Sequence, residues 1–504
     1  MKELKIYFTS DLHGYVYPTD YTDTTVKQMG ILKMISSYQK DGNTLIIDGG
    51  DTIQGSPFCT FLSSEKPSIH PIAEVMNAAG YDYVTLGNHE FNYGYDYLCS
   101  YLNHLNATCL CSNVRDQTNH LDIHSYDIKT LENGLKVGII GFTTDFIPVW
   151  EKAHNLTNFE VRDTFTSIKD IHDQVKPQVD ILVGIYHGGF EYDLESHEQL
   201  STSSENIAYK VCKELDFDIL LTGHQHIPLQ NQTLFGTHII QTPHNATKYA
   251  EVHVQTEDHQ ISSITSSLNA LTAEPDPRMT AKLDPIEHRV QEWLDRPVGH
   301  LNMELQPSDR LDMALNGSLL ANFINQIQLE VAECDLACTS FANAVKGFNQ
   351  SVTVRDIVST YVYPNTLVVR EVTGSILKKA LEVCASYIEN ENGQLSVSKR
   401  FLQPKVAHYN YDFFSNVEYT FDLTKPVGNR VVSMIVKGEP VQETDTFSLV
   451  MNNYRSSGVG GYDFFRDCPI LKEIQIEMTE IIIDYFKKHQ YVTVDDRQFI
   501  HIIK

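Results

Sequence analysis

Short apolar runs alternate with longer amphipathic stretches over the first half of the chain. Leu4-Lys5-Ile6-Tyr7-Phe8, Thr44-Leu45-Ile46-Ile47, Tyr83-Val84-Thr85-Leu86, Val137–Gly141, Asp180–Ile185, Asp218-Ile219-Leu220-Leu221 and Tyr249–Val254 read as strands. Helical patterns at Val26–Tyr38 and Glu205–Leu215 fall between them, which predicts an α/β sheet. Past Val254 the pattern changes. Pro275, Pro277, Pro285 and Pro297 punctuate a segment whose apolar positions, Ile286, Val290, Trp293 and Leu294, fit an amphipathic helix bounded by prolines. Leu311–Val331 is a second helical pattern, leading into a different domain, and Ile474–Phe486 a last one of ordinary core type. The expected organisation is a first domain over 1–274, a helical linker over 275–297 and a second domain over 298–504.

At 504 residues, with 42% hydrophobic and 10% aromatic side chains, the chain has material for two or more full cores. A formal net charge of -26 argues against coating a nucleic-acid polymer or an anionic membrane. It leaves room for a small phosphorylated substrate, because bound divalent cations reverse the local field. The nine cysteines are odd in number and show no repeated CxxC spacing, so reduced thiols are expected rather than disulfides or a zinc ribbon. The N-terminus runs straight into the first strand and no apolar run spans a bilayer, which predicts a cytoplasmic protein without a membrane partner.

Chemistry gathers just past the strands. Gly87-Asn88-His89-Glu90-Phe91-Asn92 offers a side-chain carbonyl and an imidazole on one tight turn. Asp11-Leu12-His13-Gly14 follows the first strand; in an extended segment its Asp and His point to one side. Asp48-Gly49-Gly50-Asp51-Thr52, Tyr186-His187-Gly188-Gly189 and Gly223-His224-Gln225-His226 end three more strands. Each alone reads as a turn or a cap. Together they fit the rule that open α/β sheets bind ligands outside the carboxyl ends of their strands. Asp11, His13, Asp51, Asn88, His187, His224 and His226 mix oxygen with imidazole and lack thiolate, a donor set for Mn, Zn or Fe ions rather than a structural zinc. His172, His197, His238, His244 and His253 lie outside these blocks and are expected to be surface or satisfied histidines.

The order D-x-H, G-D, G-N-H-E, H-G-G, G-H-x-H resembles the calcineurin-like dinuclear metallophosphoesterases. The resemblance implies a four-layer α/β/β/α sandwich holding two divalent metal ions. Asp51 is then shared, Asp11, His13 and His226 hold one ion, and Asn88, His187 and His224 hold the other. His89 would be catalytic without being a ligand, steadied by Asn92 where many relatives have Asp. An Asn holds a tautomer but cannot compensate an imidazolium.

The second domain carries Tyr361-Val362-Tyr363-Pro364-Asn365-Thr366 and Asn452-Asn453-Tyr454-Arg455-Ser456-Ser457-Gly458-Val459-Gly460-Gly461-Tyr462, aromatics and amides that suit a flat polar ring. These blocks resemble the α/β C-terminal substrate-binding domain of the 5'-nucleotidase family. The resemblance places a nucleotide base between Tyr363 and Tyr454, with Asn365, Asn453 and Gly458 beside it. Two departures select a branch. Ser340–Gly347 lacks the family's arginine, and Gly460 stands where 5'-nucleotidases carry an Asp against the ribose hydroxyls. With Asn410-Tyr411-Asp412-Phe413, they point to the 2',3'-cyclic-nucleotide 2'-phosphodiesterase/3'-nucleotidase branch, ahead of a 5'-nucleotidase or UDP-sugar hydrolase. A nucleotide-binding sensor with a dead metal site is the alternative from another class.

Overall fold

The computed structural model describes the whole chain except Met1, Thr24, Ser201, Thr202, Pro364, Asn392, Pro404, Lys405, Gln475 and the side chain of Trp150. Pro364, part of the Tyr361–Thr366 block, therefore lies outside the described residues. The chain divides into two compact units: Met1–Asp20 with Thr24–Gln291, and Tyr21–Asp23 with Glu292–Lys504.

In the first unit, strands Lys2–Thr9, Thr44–Asp48, Tyr83–Val84 and Thr108–Leu110 run parallel in a seven-stranded sheet. Lys136–Thr143, Ile181–His187, Ile219–Thr222 and Thr237–Gln241 run parallel in a six-stranded one. Ile6, Phe8, Leu45 and Ile47 of one sheet share a single buried core with Val137, Ile139, Val183, Ile185 and Leu221 of the other. Because strand side chains alternate, the neighbouring residues face outward. Ile140, Phe142, Leu182 and Leu220 pack against Ile168 and Val175 of helix Thr164–Val175 and Val211 of helix Ala208–Glu214. Tyr7, on the outer face of the first sheet, stacks on Tyr38 beyond helix Ile31–Ser37 at 4.7 Å. This is the α/β/β/α sandwich. Buried on both faces, its central strands read as unbroken apolar runs.

Several element boundaries differ from the sequence expectation, each for a local reason. The helix expected from Val26 begins only at Ile31, because Gly30 has φ 101 and its Cα faces the Tyr17 carbonyl, where a Cβ would lie 2.5 Å from the oxygen. The pattern over Leu311–Val331 is two helices, Arg310–Asn316 and Leu319–Ala332, broken at Gly317 (φ 83) and restarted by the Ser318 hydroxyl, which accepts from Ala321 N. Pro285 does not punctuate: it sits inside one continuous helix, Pro277–Leu294, which buries Met279, Leu283, Val290 and Leu294. Asp276 starts that helix, accepting from Met279 N at 2.8 Å. The last helix is Met478–Lys488, preceded by a strand at Ile470–Ile474 rather than by helix.

The second unit is built on a mixed five-stranded sheet in the order Phe413–Ser415, Leu336–Thr339, Thr446–Asn452, Leu367–Thr373, Ile470–Ile474. Leu367 pairs with Asn452 in antiparallel register, so the Tyr361–Thr366 and Asn453–Tyr462 blocks leave the sheet side by side. Among the described residues no helix is long and apolar enough to cross a membrane.

Candidate metal centre

The donor-bearing segments leave the carboxyl ends of parallel strands in the two sheets, and close loop packing brings them together. A Cβ on Gly50 would sit 2.4 Å from Gly87 N, and one on Gly87 would sit 2.1 Å from Asp51 Oδ1, so only glycine permits this approach. Glu90, in the motif but without a role assigned from sequence, ties the two loops. Its buried carboxylate accepts from Asp51 N at 2.8 Å, Thr52 N at 2.6 Å and Gly87 N at 2.6 Å. Burial first, and then the Asp51 charge, raise the Glu90 carboxyl above its usual range.

The ligand backbone is not extended. Asp11 (φ 57), His13 (φ 48), Asp51 (φ 55), His224 (φ 70) and His226 (φ 59) are all left-handed. Such conformations are uncommon outside glycine and cluster at functional sites. The turn aims both members of each spaced pair inward, which corrects the extended D-x-H and H-x-H geometry expected from spacing.

The structure gathers Asp11, His13 and His226 into one cluster, and Asp51, His187 and His224 into another; within each, ligand atoms lie no more than 4.8 Å apart. The tautomers follow from the outer partners. His13 Nδ1 is 2.9 Å from Gln54 O and His187 Nδ1 is 2.7 Å from Gly49 O. A carbonyl only accepts, so both histidines carry a proton on Nδ1 and present Nε2 inward. His187 Nε2 then lies 3.1 Å from Asp51 Oδ2 and 3.2 Å from Asn88 Oδ1, and His13 Nε2 lies 3.3 Å from His226 Nε2. His226 Nε2 is 3.2 Å from Asp11 Oδ1. On the far side, His224 Nε2 meets Glu205 Oε1 at 2.9 Å and His224 Nδ1 faces Asn88 Oδ1 at 3.0 Å. Lone pair thus faces lone pair. A cation in each cluster satisfies all of them at once, so the donor set fits divalent metal ions.

The electrostatics agree. Burial alone would raise Asp11 and Asp51, yet His226 and His187 hold them below the usual carboxylate range. Burial would lower His187, but Asp51 pushes it up to about 10, so a proton and a cation compete for that nitrogen. His13 goes the other way, to about 3, through burial.

His89 N donates to Asp51 Oδ1 at 2.8 Å, and His89 Nδ1 lies 2.6 Å from Asn92 Oδ1. The His89 ring meets the His13 ring edge-on at 5.4 Å, so it borders the first cluster. Asn92 does not stand alone: its Nδ2 donates to Glu151 Oε2.

Two residues near the clusters escaped sequence reasoning. Glu205 lies in a segment expected to be helical but precedes the helix Ala208–Glu214. His244, set aside as a surface or satisfied residue, stacks on His226 at 4.5 Å, and its buried Nδ1 meets no hydrogen-bond partner among the described residues. Burial, then His226, lower it to about 4. The other dismissed histidines are satisfied. His172 Nδ1 meets Asp173 at 3.1 Å, His238 pairs with Ser266 at 2.9 Å, His253 with Glu251 at 2.9 Å, and His197 with Tyr209 at 3.3 Å.

In the second unit, Asn453 N donates to Thr366 O at 3.0 Å, joining the two aromatic blocks. Tyr363 is 42% exposed and Tyr454 half-buried, so both keep ring surface for a ligand. Tyr409, unforeseen from sequence, meets Tyr454 edge-on at 6.3 Å. Asn365 O accepts from Met478 N at 2.9 Å, and Gly458, buried against Arg466, shapes the turn at φ 86. Arg455 and Asp412 form a buried ion pair at 2.6 Å beneath these loops. At Gly460 φ is 81, and a Cβ would lie 2.2 Å from Asn410 Oδ1 and 2.7 Å from Arg455 Nη1, so a side chain here would strain the backbone and displace these groups. The Ser340–Gly347 loop lacks an arginine of its own but is met by Arg310, whose Nη2 donates to Asn343 O at 3.0 Å.

The calcineurin-like phosphoesterase family matches residues 4–228, and the 5'-nucleotidase C-terminal domain matches residues 297–467. A Staphylococcus aureus protein named as a candidate 5'-nucleotidase, solved in complex with α-ketoglutarate, is similar with a TM-score of 0.77 over 100% of both chains, at 32% identity. The 2',3'-cyclic-nucleotide 2'-phosphodiesterase/3'-nucleotidase of Haemophilus influenzae is 26% identical over 96% of this chain and 84% of its own. The trifunctional nucleotide phosphoesterase of Bacillus subtilis is 25% identical over 97% of this chain, which spans 38% of that longer protein. The architecture and site define a phosphoester hydrolase that uses divalent metal ions. The chain belongs to the calcineurin-like phosphoesterases that carry a 5'-nucleotidase C-terminal domain.

Proposed function

We propose that this protein hydrolyses nucleotide phosphoesters with two divalent cations, Mn, Zn or Fe, as a 2',3'-cyclic-nucleotide 2'-phosphodiesterase/3'-nucleotidase. The carrying observation is the pair of clusters in which inward-facing imidazole nitrogens and carboxylates meet lone pair to lone pair. Asp11, His13 and His226 would hold one cation, Asn88, His187 and His224 the other, with Asp51 shared. Bound there, the pair supplies an activated water and neutralises charge on the phosphoryl oxygens. The chain's own residues do the rest. Asp51 positions His89 by accepting its backbone N–H. His89 points its ring beside the first cluster, where it stabilises charge developing on the phosphoryl group and delivers a proton to the departing ribose oxygen. Tyr363 and Tyr454 offer ring faces to the base, with Asn365 and Asn453 beside it.

Gly460 supports the branch. A carboxylate near the 2' and 3' oxygens would repel a phosphate carried there, and at φ 81 the backbone of Gly460 disfavours any side chain. The Haemophilus relative named for that activity adds support, while the name of the Staphylococcus protein favours 5'-nucleotides. Phosphate release from 2',3'-cyclic AMP, 3'-AMP, 5'-AMP and UDP-glucose with Mn²⁺ separates them. Preference for the first two is expected. Preference for 5'-AMP or UDP-glucose moves the assignment to those branches, and inactivity on all four leaves a binding protein.

A further inference from the structure

His89 is steadied by more than Asn92. Asn92 Nδ2 donates to Glu151 Oε2 at 2.5 Å, and Glu151 Oε1 accepts from Lys152 N at 2.7 Å and from Asn155 Nδ2 at 2.8 Å. The Asn155 amide also donates to the Asn92 carbonyl at 3.1 Å, closing the group. Glu151 and Asn155 are each 8% exposed.

An asparagine presents a donor at one end of its amide and an acceptor at the other, and by itself would serve either tautomer of a neighbouring imidazole. An ionised carboxylate accepts only. Glu151 therefore obliges Asn92 to turn Nδ2 toward it and Oδ1 toward His89, and Oδ1 in turn requires the proton on His89 Nδ1. That leaves His89 Nε2 as the nitrogen that faces the reaction, where it takes up a proton from solvent and passes it to the leaving oxygen while Nδ1–H stays on Asn92 Oδ1. An Asn92 amide turned the other way would hold a lone pair on Nδ1 and block that uptake. We infer that Glu151 is the positioning residue that sets the orientation and tautomer of His89, acting through Asn92. The inference rests on the proposed role of His89. It supplies, one side chain further out, the carboxylate that Asn92 lacks.

The geometry fixes what each variant does. Glu151→Gln has one acceptor for three donors. Its carbonyl is kept by Lys152 N and Asn155 Nδ2, two bonds against one, so its NH₂ faces Asn92. Asn92 then flips, its NH₂ faces His89 Nδ1, and the proton moves to Nε2. Asn92→Asp alone sets two carboxylates against each other. Asn92→Asp with Glu151→Gln restores a donor-to-acceptor chain, because the glutamine NH₂ donates to the new carboxylate and that carboxylate accepts from His89 Nδ1–H.

The test uses the full-length zinc-loaded protein. Imidazole ¹⁵N NMR at one fixed, mildly alkaline pH reads the tautomer, and steady-state kinetics on 2',3'-cyclic AMP and bis-p-nitrophenyl phosphate read its use. Glu151→Gln is expected to move the His89 proton to Nε2 and to lower kcat on the cyclic nucleotide at least about tenfold, below the full loss of a general acid. KM and zinc content hold, and the aryl ester, whose leaving group needs no proton, changes less. The double variant is expected to recover both the tautomer and kcat. An unmoved tautomer in Glu151→Gln, or a double variant no better than its singles, overturns the inference. If the parent protein cleaves only the aryl ester, the nucleotide reading fails, and the tautomer measurements still decide the role of Glu151.

Discussion

Glu205 backs His224: its Oε1 lies 2.9 Å from His224 Nε2, leaving Nδ1 to face Asn88. A carboxylate behind a metal-binding imidazole fixes its tautomer and raises its basicity. The His224 charge and hydrogen bond outweigh burial and lower the Glu205 carboxyl, so it accepts at neutral pH. Glu205→Ala is expected to weaken cation binding at the His187–His224 cluster about 10–100-fold, the usual effect of losing such a partner. Titrating apoprotein with Mn²⁺ while following bound metal checks it. Unchanged affinity at both clusters would show that Glu205 does not support the site.

Asp51 carries the largest burden among the proposed ligands. One carboxylate oxygen faces His187 Nε2 at 3.1 Å and the other accepts from His89 N at 2.8 Å. Asp51→Asn replaces an acceptor with an amide and removes the charge that holds His187 protonated or cation-bound. Turnover is expected to fall to background, with less than the parent's metal content by elemental analysis. Full metal content and activity in this variant would sink the shared-ligand role.

The sequence made the architecture and the donor set readable because both depend on local signals. Four- to six-residue runs rich in apolar side chains reported the strands, and Asp, Asn and His just past them reported the site. Backbone sign was not readable: nothing in D-x-H says that Asp11 and His13 are left-handed rather than extended. Helix ends were lost where tertiary contacts decide, as at Gly30 against Tyr17 and at Gly317. Glu205, His244 and Glu151 were missed because their partners are distant in sequence: His226 lies eighteen residues from His244, and Glu151 reaches Asn92 across 59. Motif spacing carries no record of such meetings.

His70 gives a stability prediction independent of the metals. It is buried between Tyr97 and Tyr101, at 4.8 and 5.3 Å, and neither ring nitrogen has a hydrogen-bond partner among the described residues. Burial first, and then His104, lower it from 6.5 to about 3. Between those values the unfolded chain binds a proton that the folded one refuses, so stability rises with pH. The contribution is fully present above 6.5 and is lost as pH falls toward 3, with a slope of up to ~1.4 kcal/mol per pH unit. His70→Phe keeps an aromatic ring against both tyrosines and removes the titration. Its urea midpoint is expected to depend less steeply on pH than the parent's just below 6.5. Parallel slopes would mean that His70 is protonated in the fold.

Tyr454 tests the assignment of base recognition to the second unit. Its ring is half-buried, braced edge-on by Tyr409 at 6.3 Å, and its loop is anchored below by the buried Arg455–Asp412 pair. The buried ion pair is made without the Tyr454 ring, so truncating that ring is expected to remove a stacking surface without dismantling the loop. Tyr454→Ala is expected to cost ~1–3 kcal/mol in nucleotide binding, the range for one base–aromatic stack. That loss belongs in KM, since stacking is made equally in the ground state and the transition state. Hydrolysis of bis-p-nitrophenyl phosphate, which offers no nucleobase, is expected to stay near the parent level. Steady-state kinetics on 3'-AMP and the aryl ester side by side read the difference. Equal losses on both would mean that Tyr454 serves the fold, and the base would then have to be sought on other side chains.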